Sequence, residues 1–192
     1  MKKSVFCLIF TVLLSSCAAT APQGTQGIFP IDRSYGDLAP YGSHPGIDYT
    51  VGTGTPVIAA SNGRVISISE LGVDGSEVSI LHGRDFVSTY AHLSKFFVQK
   101  GQWVRRGQLI ALSGASNNYG RIGYQHLHFG LCKIGQSCRN AAGAYNPDGL
   151  WLEGKPQCFD PQKDYSGYSL RDITLPIACG DYGKALTAEG GK

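Results

Sequence analysis

The chain has 192 residues, of which 42% are apolar and 16% charged, with a formal net charge of +3. This composition excludes a disordered segment, and the length suits one domain with short extensions. The 26 glycines point to many tight turns, and therefore to short strands rather than long helices.

Lys2 and Lys3 precede an apolar stretch, Ser4 to Leu14, that is too short to cross a bilayer as a stable helix. It leads into Leu14-Ser15-Ser16-Cys17, which resembles a bacterial lipoprotein signal cleaved before Cys17. Small residues there fit a signal peptidase, and the thiol accepts the lipid. Residues 1–16 are therefore read as a lipoprotein signal peptide and Cys17 as a lipidation site, with the membrane as partner through an N-terminal lipid anchor. Ala18 stands where an Asp would favour retention at an inner membrane, so the expected place is the cell envelope, at the outer membrane facing the periplasm. Without residues 1–16 the 17 basic residues fall to 15 against 14 acidic ones, a net charge of about +1. Binding to nucleic acid needs clustered basic charge, so no nucleic-acid partner is expected. Residues 17–27 hold the lipidated Cys and an Ala/Thr/Gln/Gly tether without apolar pattern.

From Ile28 the pattern is one of short strands. Val57 to Ala60 and Arg64 to Ser69 flank Ser61-Asn62-Gly63, which predicts a hairpin, because Asn and Gly both tolerate positive φ. Glu77 to Leu81, Phe86 to His92, Gln108 to Ser113 and His126 to Leu131 are further strand candidates, and no long stretch has helical period. The expected class is mostly β, with a principal domain over 28–152 and a cysteine-bearing, turn-rich C-terminal extension over 153–192. Gly54-Thr55-Pro56-Val57 and Gly107-Gln108-Leu109-Ile110 hint at a duplicated hairpin of the kind found in lipoyl or biotinyl carriers. A carrier needs an acceptor Lys at the hairpin tip, whereas the turn here holds Asn62 and Gly63, and that reading is set aside.

Cys132, Cys138, Cys158 and Cys179 are an even set in an exported chain, which reads as two disulfides. Three pairings are possible. Cys132 with Cys138 and Cys158 with Cys179 are favoured because each closes a short local loop. A four-cysteine zinc site would need close pairs such as Cys-x-x-Cys, and the sequence has none.

The chemistry rests on the histidines. In His126-Leu127-His128-Phe129-Gly130-Leu131, strand alternation sends Leu127, Phe129 and Leu131 to a core, and His126 and His128 together to the other face. His44 and Asp48 offer an imidazole and a carboxylate, both suitable zinc ligands. His92 ends a strand candidate, and alternation places it on one face with Ser88 and Tyr90. His82, near a turn, is read as structural.

Taken together, His44-x-x-x-Asp48, Tyr90-Ala91-His92-Leu93 and His126-Leu127-His128-Phe129 resemble the lysostaphin-type (LytM-like) zinc metallopeptidases in order and spacing. Gly54-Thr55-Pro56-Val57, Gly101-Gln102-x-Val104-x-x-Gly107-Gln108 and Asn146-Pro147 add to the likeness. The resemblance implies an antiparallel β-sheet peptidase domain, duplicated and hybrid-motif-like. It implies one Zn2+ on His44, Asp48 and His128, with His92 and His126 as catalytic neighbours that position water, accept its proton and stabilise the oxyanion. The implied activity is an endopeptidase acting on peptidoglycan stem peptides. The alternatives are a regulatory module that activates a cell-wall amidase or binds the wall without cutting it, and a peptidase with a protein substrate. The sequence departs from the family at Arg121 to Gln125, at Gly130 (where an acid is common) and in the extension after Trp151, which bears on substrate preference.

Overall fold

The computed structural model of the chain describes residues 29–39, 42–72, 74–116 and 124–190. The signal peptide, Cys17, the tether and residues 121–123 lie outside them. Among the described residues twelve strands follow in chain order: β1 Ile31–Arg33, β2 Leu38–Ala39, β3 Gly42–Ser43, β4 Gly46–Tyr49, β5 Pro56–Ile58, β6 Gly63–Gly72, β7 Gly75–His82, β8 Phe86–Ala91, β9 Leu93–Phe96, β10 Trp103–Val104, β11 Leu109–Ser113 and β12 Leu127–Lys133. Seven of them form an antiparallel sheet in the order β1-β4-β12-β8-β7-β6-β10, and β5-β11-β9 form a second sheet. The mostly β class expected from the sequence is what the chain adopts.

The two sheets share one apolar cluster. Ile47, Tyr49, Val78, Ile80, Tyr90, Leu127, Phe129 and Leu131 come from the large sheet, and Val57, Ile110 and Ala111 from the small one. On β12 the alternation read from the sequence holds, since Leu127, Phe129 and Leu131 are fully buried while His128 faces the other way. Phe129 pairs with Tyr90, and the two rings touch at 5.4 Å between centroids.

The Asn62-Gly63 hairpin does not form. β5 pairs with β11 of the small sheet, whereas β6 pairs with β7 and β10 of the large one. The turn is instead the crossover between the sheets, and its polar groups are used there. Asn62 Oδ1 accepts from the Arg106 backbone N–H at 2.8 Å, and the Asn62 carbonyl accepts from His82 Nδ1 at 2.8 Å. Gly63 is required for packing, because a Cβ there would lie 2.6 Å from an Ile80 methyl carbon. The two halves of the apparent repeat thus pair with each other rather than each with itself.

The C-terminal extension packs against the same core. Ile173, Leu175 and Ile177 are buried in it, Thr174 donates its backbone N–H to Ala60 O at 3.0 Å, and Val57 bridges to Ile177. Arg106 braces the seam, with Nη1 donating to Ala60 O at 2.7 Å and Nη2 to Asp172 O at 2.6 Å. Both favoured disulfides are present, Cys132–Cys138 and Cys158–Cys179. A helix over Gly180–Gly190 was not expected; its three glycines and weak apolar pattern hide it from a periodicity search.

His82, read as structural, lies in the core with a relative exposure of 1%. Its Nδ1–H donates to Asn62 O, and Nε2 sits 2.7 Å from Ser88 Oγ, which is 3.1 Å from the Tyr90 hydroxyl. Tyr90 in turn accepts the Ala60 N–H at 2.9 Å. With His82 neutral, one set of hydroxyl orientations satisfies every member: Tyr90 donates to Ser88 and Ser88 to His82 Nε2.

Burial lowers the His82 pKa from 6.5 to about 4, against the smaller raising effect of the Asn62 carbonyl. The unfolded chain therefore takes up this proton first as pH falls. Stability should drop between about pH 6.5 and 4, by about 3 kcal/mol from this group, and level off below. Urea midpoints at pH 7 and pH 4.5 check this: His82→Gln should be less stable at pH 7 but lose less stability on acidification than the parent chain.

Candidate metal centre

The face of the large sheet opposite the core carries the chemistry. Asp48 on β4 and His128 on β12 are directly opposite each other in the antiparallel ladder. Cross-strand partners share a face and stand about 5 Å apart at Cβ, so this register alone brings carboxylate to imidazole. His128 Nδ1 lies 2.8 Å from Asp48 Oδ1. His44 precedes β4 and is held by its own backbone, with its N–H on Asp37 O and its carbonyl taking the Gly36 N–H, both at 2.8 Å. This turns His44 Nε2 to within 3.2 Å of both Asp48 Oδ1 and His128 Nδ1. Gly46 makes room for the His128 ring, because a Cβ there would come 2.8 Å from its Cε1.

The three donor atoms converge, and among the described residues His44, Asp48 and His128 form the group able to hold a metal. Their separations of 3.2, 3.2 and 2.8 Å can be compared with a tetrahedral ion. Zinc bonds of about 2.0–2.1 Å would set ligand atoms about 3.3 Å apart, so the triangle fits with small adjustment. The chemistry of the donors agrees. His44 Nδ1–H donates to Ser34 O at 3.1 Å, which leaves the Nε2 lone pair facing the centre. Burial would raise the Asp48 pKa, but the adjacent His128 and His44 imidazoles outweigh it and hold the carboxyl well below the usual range. The group is thus an ionised carboxylate with two imidazole nitrogens, the set that zinc favours.

His92 and His126 sit beside this centre. Their rings are 4.2 Å apart at the centroids, and His126 Nε2 is 3.9 Å from Asp48 Oδ1. Each Nδ1 faces a backbone carbonyl, Ser116 O at 2.7 Å for His92 and Tyr124 O at 3.2 Å for His126. Both Nδ1 atoms are therefore donors, and both Nε2 atoms are free to accept a proton. Burial lowers the His92 pKa and takes that of His126 to about 4, with His92 the next cause for His126.

One expectation needs correction. Strict alternation puts His92 with Ser88 and Tyr90, which are buried in the core network. Instead β8 ends at Ala91, and His92 adopts φ 63°, the left-handed region that an L-residue enters at a cost. That turn swings the ring across to the face of His128, where the two rings lie 6.2 Å apart.

Sequence reading missed Tyr124. Its ring lies tilted against His126 at 4.3 Å between centroids, its carbonyl fixes the His126 tautomer, and its hydroxyl bonds Asp32. Its place two residues before His126 was the available signal. Gln125 Oε1 accepts the Thr53 N–H at 2.9 Å and ties the same turn to the β4–β5 loop.

The model of "Peptidase family M23" matches residues 42–140. The chain is 42% identical over 93 residues to peptidoglycan DD-endopeptidase ShyA of Vibrio cholerae, which is 48% of this chain and 21% of that protein. Among solved structures it is similar to the catalytic domain of lysostaphin from Staphylococcus simulans. There the TM-score is 0.55 and the identity 27%, over 62% of this chain and 89% of that one. A zinc-containing peptidase from Vibrio cholerae is similar at TM-score 0.52 and 29% identity, over 62% and 35% of the two chains. The chain spans about a fifth of the length of the curated relatives it matches first, at 18, 21 and 26%.

Metal affinity separates the two groups of residues. Asp48→Ala, His44→Ala and His128→Ala should each weaken zinc binding by more than about a hundredfold, beyond the 10–100-fold typical of residues that only orient ligands. His92→Ala should stay within about tenfold of the parent. Competition titration against a fluorescent zinc chelator checks both.

Proposed function

The chain belongs to peptidase family M23, and on that premise we propose that it is a zinc-dependent metalloendopeptidase hydrolysing the peptide cross-links of bacterial peptidoglycan. The observation that carries this reading is the meeting of the His44, Asp48 and His128 donor atoms beside two further imidazoles whose Nδ1 atoms face backbone carbonyls, leaving Nε2 as the acceptor. Relatives named as peptidoglycan DD-endopeptidases support the substrate class.

Bound by His44, Asp48 and His128, zinc would supply Lewis acidity toward a peptide carbonyl and toward water. The chain's own residues handle the protons. Water attacks the carbonyl carbon, and a neutral imidazole of His92 or His126 takes its proton at Nε2. As the C–N bond breaks, that proton passes to the leaving amine, while Nε2 of the partner imidazole accepts the second O–H of the attacking water and orients it. Burial keeps both rings neutral and thus ready as acceptors. A module that only bound the wall or recruited an amidase would have no use for two poised imidazoles beside the ligands, and this favours hydrolysis.

The proposal extends to location. Lys2, Lys3, the apolar run and Leu14-Ser15-Ser16-Cys17 support export, cleavage before Cys17 and a lipid anchor at the outer membrane, with the peptidase facing the periplasm. Radiolabelled palmitate should label the wild-type chain and not Cys17→Ser.

The activity test uses residues 18–192 with purified peptidoglycan, and mass spectrometry of the fragments. Cross-linked dimers should disappear, a chelator should block the loss and zinc should restore it. Zinc-loaded, folded protein that releases nothing would sink the reading. The pH dependence follows from His126. Because its pKa is lowered to about 4, the acid limb of kcat/KM at saturating zinc should fall well below the 6.5 of a free imidazole.

A further inference from the structure

One end of the large sheet gathers cations that the rest of the molecule leaves unpaired. In the last row of the ladder Lys133 is opposite Phe86, and Phe86 opposite His82. The row before it runs through Cys132, Val87, Leu81, Arg64 and Trp103, across β12, β8, β7, β6 and β10. Cross-strand partners share a face, so Arg64 and Trp103 stand side by side. Arg84 lies in the β7–β8 turn at this end, and Arg105 follows Val104 of β10. Lys133, Arg64, Arg84 and Arg105 are all exposed. None of the four makes an ion pair among the described residues.

Exposed apolar side chains gather at the same end. Among the described residues Ile31, Leu38, Trp103, Tyr124, Ile134 and Leu170 are the large apolar side chains left exposed, and three of them are here: Trp103 at 72%, Ile134 at 43% and Leu170 at 39%. Ile134 donates its N–H to Asp85 O in the β7–β8 turn at 2.7 Å. Leu170 reaches the same turn, 3.6 Å from where a Cβ on Gly83 would lie. The carboxylates nearby are engaged. Both oxygens of Asp85 accept from Arg171 at 2.9 Å, and Asp172 accepts the Ser169 N–H at 2.8 Å. The chain between Phe86 and Pro147 carries seven Lys and Arg and no Asp or Glu, so it brings no negative charge to this end. From Lys133 on β12 to Trp103 on β10 the surface spans four strand spacings, or about 19 Å.

We propose that this end of the sheet docks on a membrane surface, with its four cations against the phosphates of anionic lipid headgroups and Trp103, Ile134 and Leu170 at the boundary between headgroups and acyl chains. An indole is favoured at that boundary because its ring is apolar and its N–H polar. Lys and Arg lay their alkyl stems along apolar surface while the charge meets phosphate. Charge complementarity decides the occupant. Without residues 1–16 the net charge is only about +1, so attraction to an anionic surface is confined to this patch. A sugar would need a concave site with convergent hydrogen-bonding groups, whereas Trp103 stands out on the edge strand among cations. The lipid anchor proposed for Cys17 keeps a membrane within reach, since residues 18–30 can extend to at most about 45 Å. Docked in this way, the metal centre stays clear of the bilayer, because His128 and Lys133 lie five residues apart on β12, or about 17 Å. Neither the zinc site nor the lipid takes part in the contact.

The test uses residues 18–192, which lack the lipidated Cys17 and contain every described residue. Co-sedimentation should show binding to vesicles of phosphatidylethanolamine with phosphatidylglycerol at least about tenfold tighter than to phosphatidylcholine vesicles, and added salt should weaken it. Arg64→Gln, Arg84→Gln, Arg105→Gln and Lys133→Gln should each weaken binding about fivefold, the loss expected for one cation near an anionic surface, with zinc affinity unchanged. Trp103 and Trp151 are the two tryptophans, and Trp151 is buried, so a change in indole emission reports Trp103. The emission should shift to the blue on anionic vesicles, and Trp103→Phe should lose that shift. Failure of the folded, zinc-loaded protein to bind anionic vesicles, equal binding to both kinds, or undiminished binding by Arg64→Gln combined with Lys133→Gln overturns the proposal. Salt-sensitive retention on purified peptidoglycan through the same residues, without binding to vesicles, assigns the surface to the wall and overturns it too. Each of these outcomes leaves the hydrolytic reading standing, since cleavage is measured separately on soluble fragments.

Discussion

The arrangement depends on one buried carboxylate. Asp48 is 4% exposed, and a lone negative charge at that depth would cost several kcal/mol. The fold answers by direct ladder pairing: His128 stands opposite on the neighbouring antiparallel strand, His44 is fixed four residues earlier by two backbone hydrogen bonds, and His126 comes within 3.9 Å. These imidazoles also set the donor triangle, so the compensation that lets Asp48 be buried and the geometry that suits a cation are the same feature. The apolar face behind it, with Tyr90, Leu127 and Phe129, is what makes the register unable to slip, since a shift by one would bury the histidines and expose the core.

Much of the site was legible because it obeys short-range rules. The period-two pattern of His126 to Leu131 separates core from chemistry on one strand, and each disulfide closes a local loop. The rest was hidden by effects that such rules do not see. One residue in a left-handed conformation moved His92 to the other face, and period-two reasoning has no term for it. Asn62-Gly63 has the chemistry of a hairpin turn, but turn chemistry does not say which sheet each flanking strand will join. The pairing of β5 with β11 decided that.

Other residues were overlooked because their types are common on surfaces. Glu77, Arg139 and Tyr124 would each pass as solvated side chains in a linear reading. Only the fold brings Glu77 and Arg139 to within 3.6 Å of each other and lays Tyr124 against His126.

The bond between Thr174 Oγ1 and Ala60 O joins residues 114 apart in sequence, and it lies at the seam where the C-terminal segment covers Val57 and Ala60. Considered in the order in which a chain is made, every metal-binding donor is present once residue 128 has emerged. The apolar cluster is not closed until residues 173–177 return to a strand left more than a hundred residues before. Competence to hold the ion and competence to stay folded therefore arise at different chain lengths, and contacts of such long range are the slow ones to form. A chain interrupted between these two points would carry all three metal-binding donors on an unfinished core.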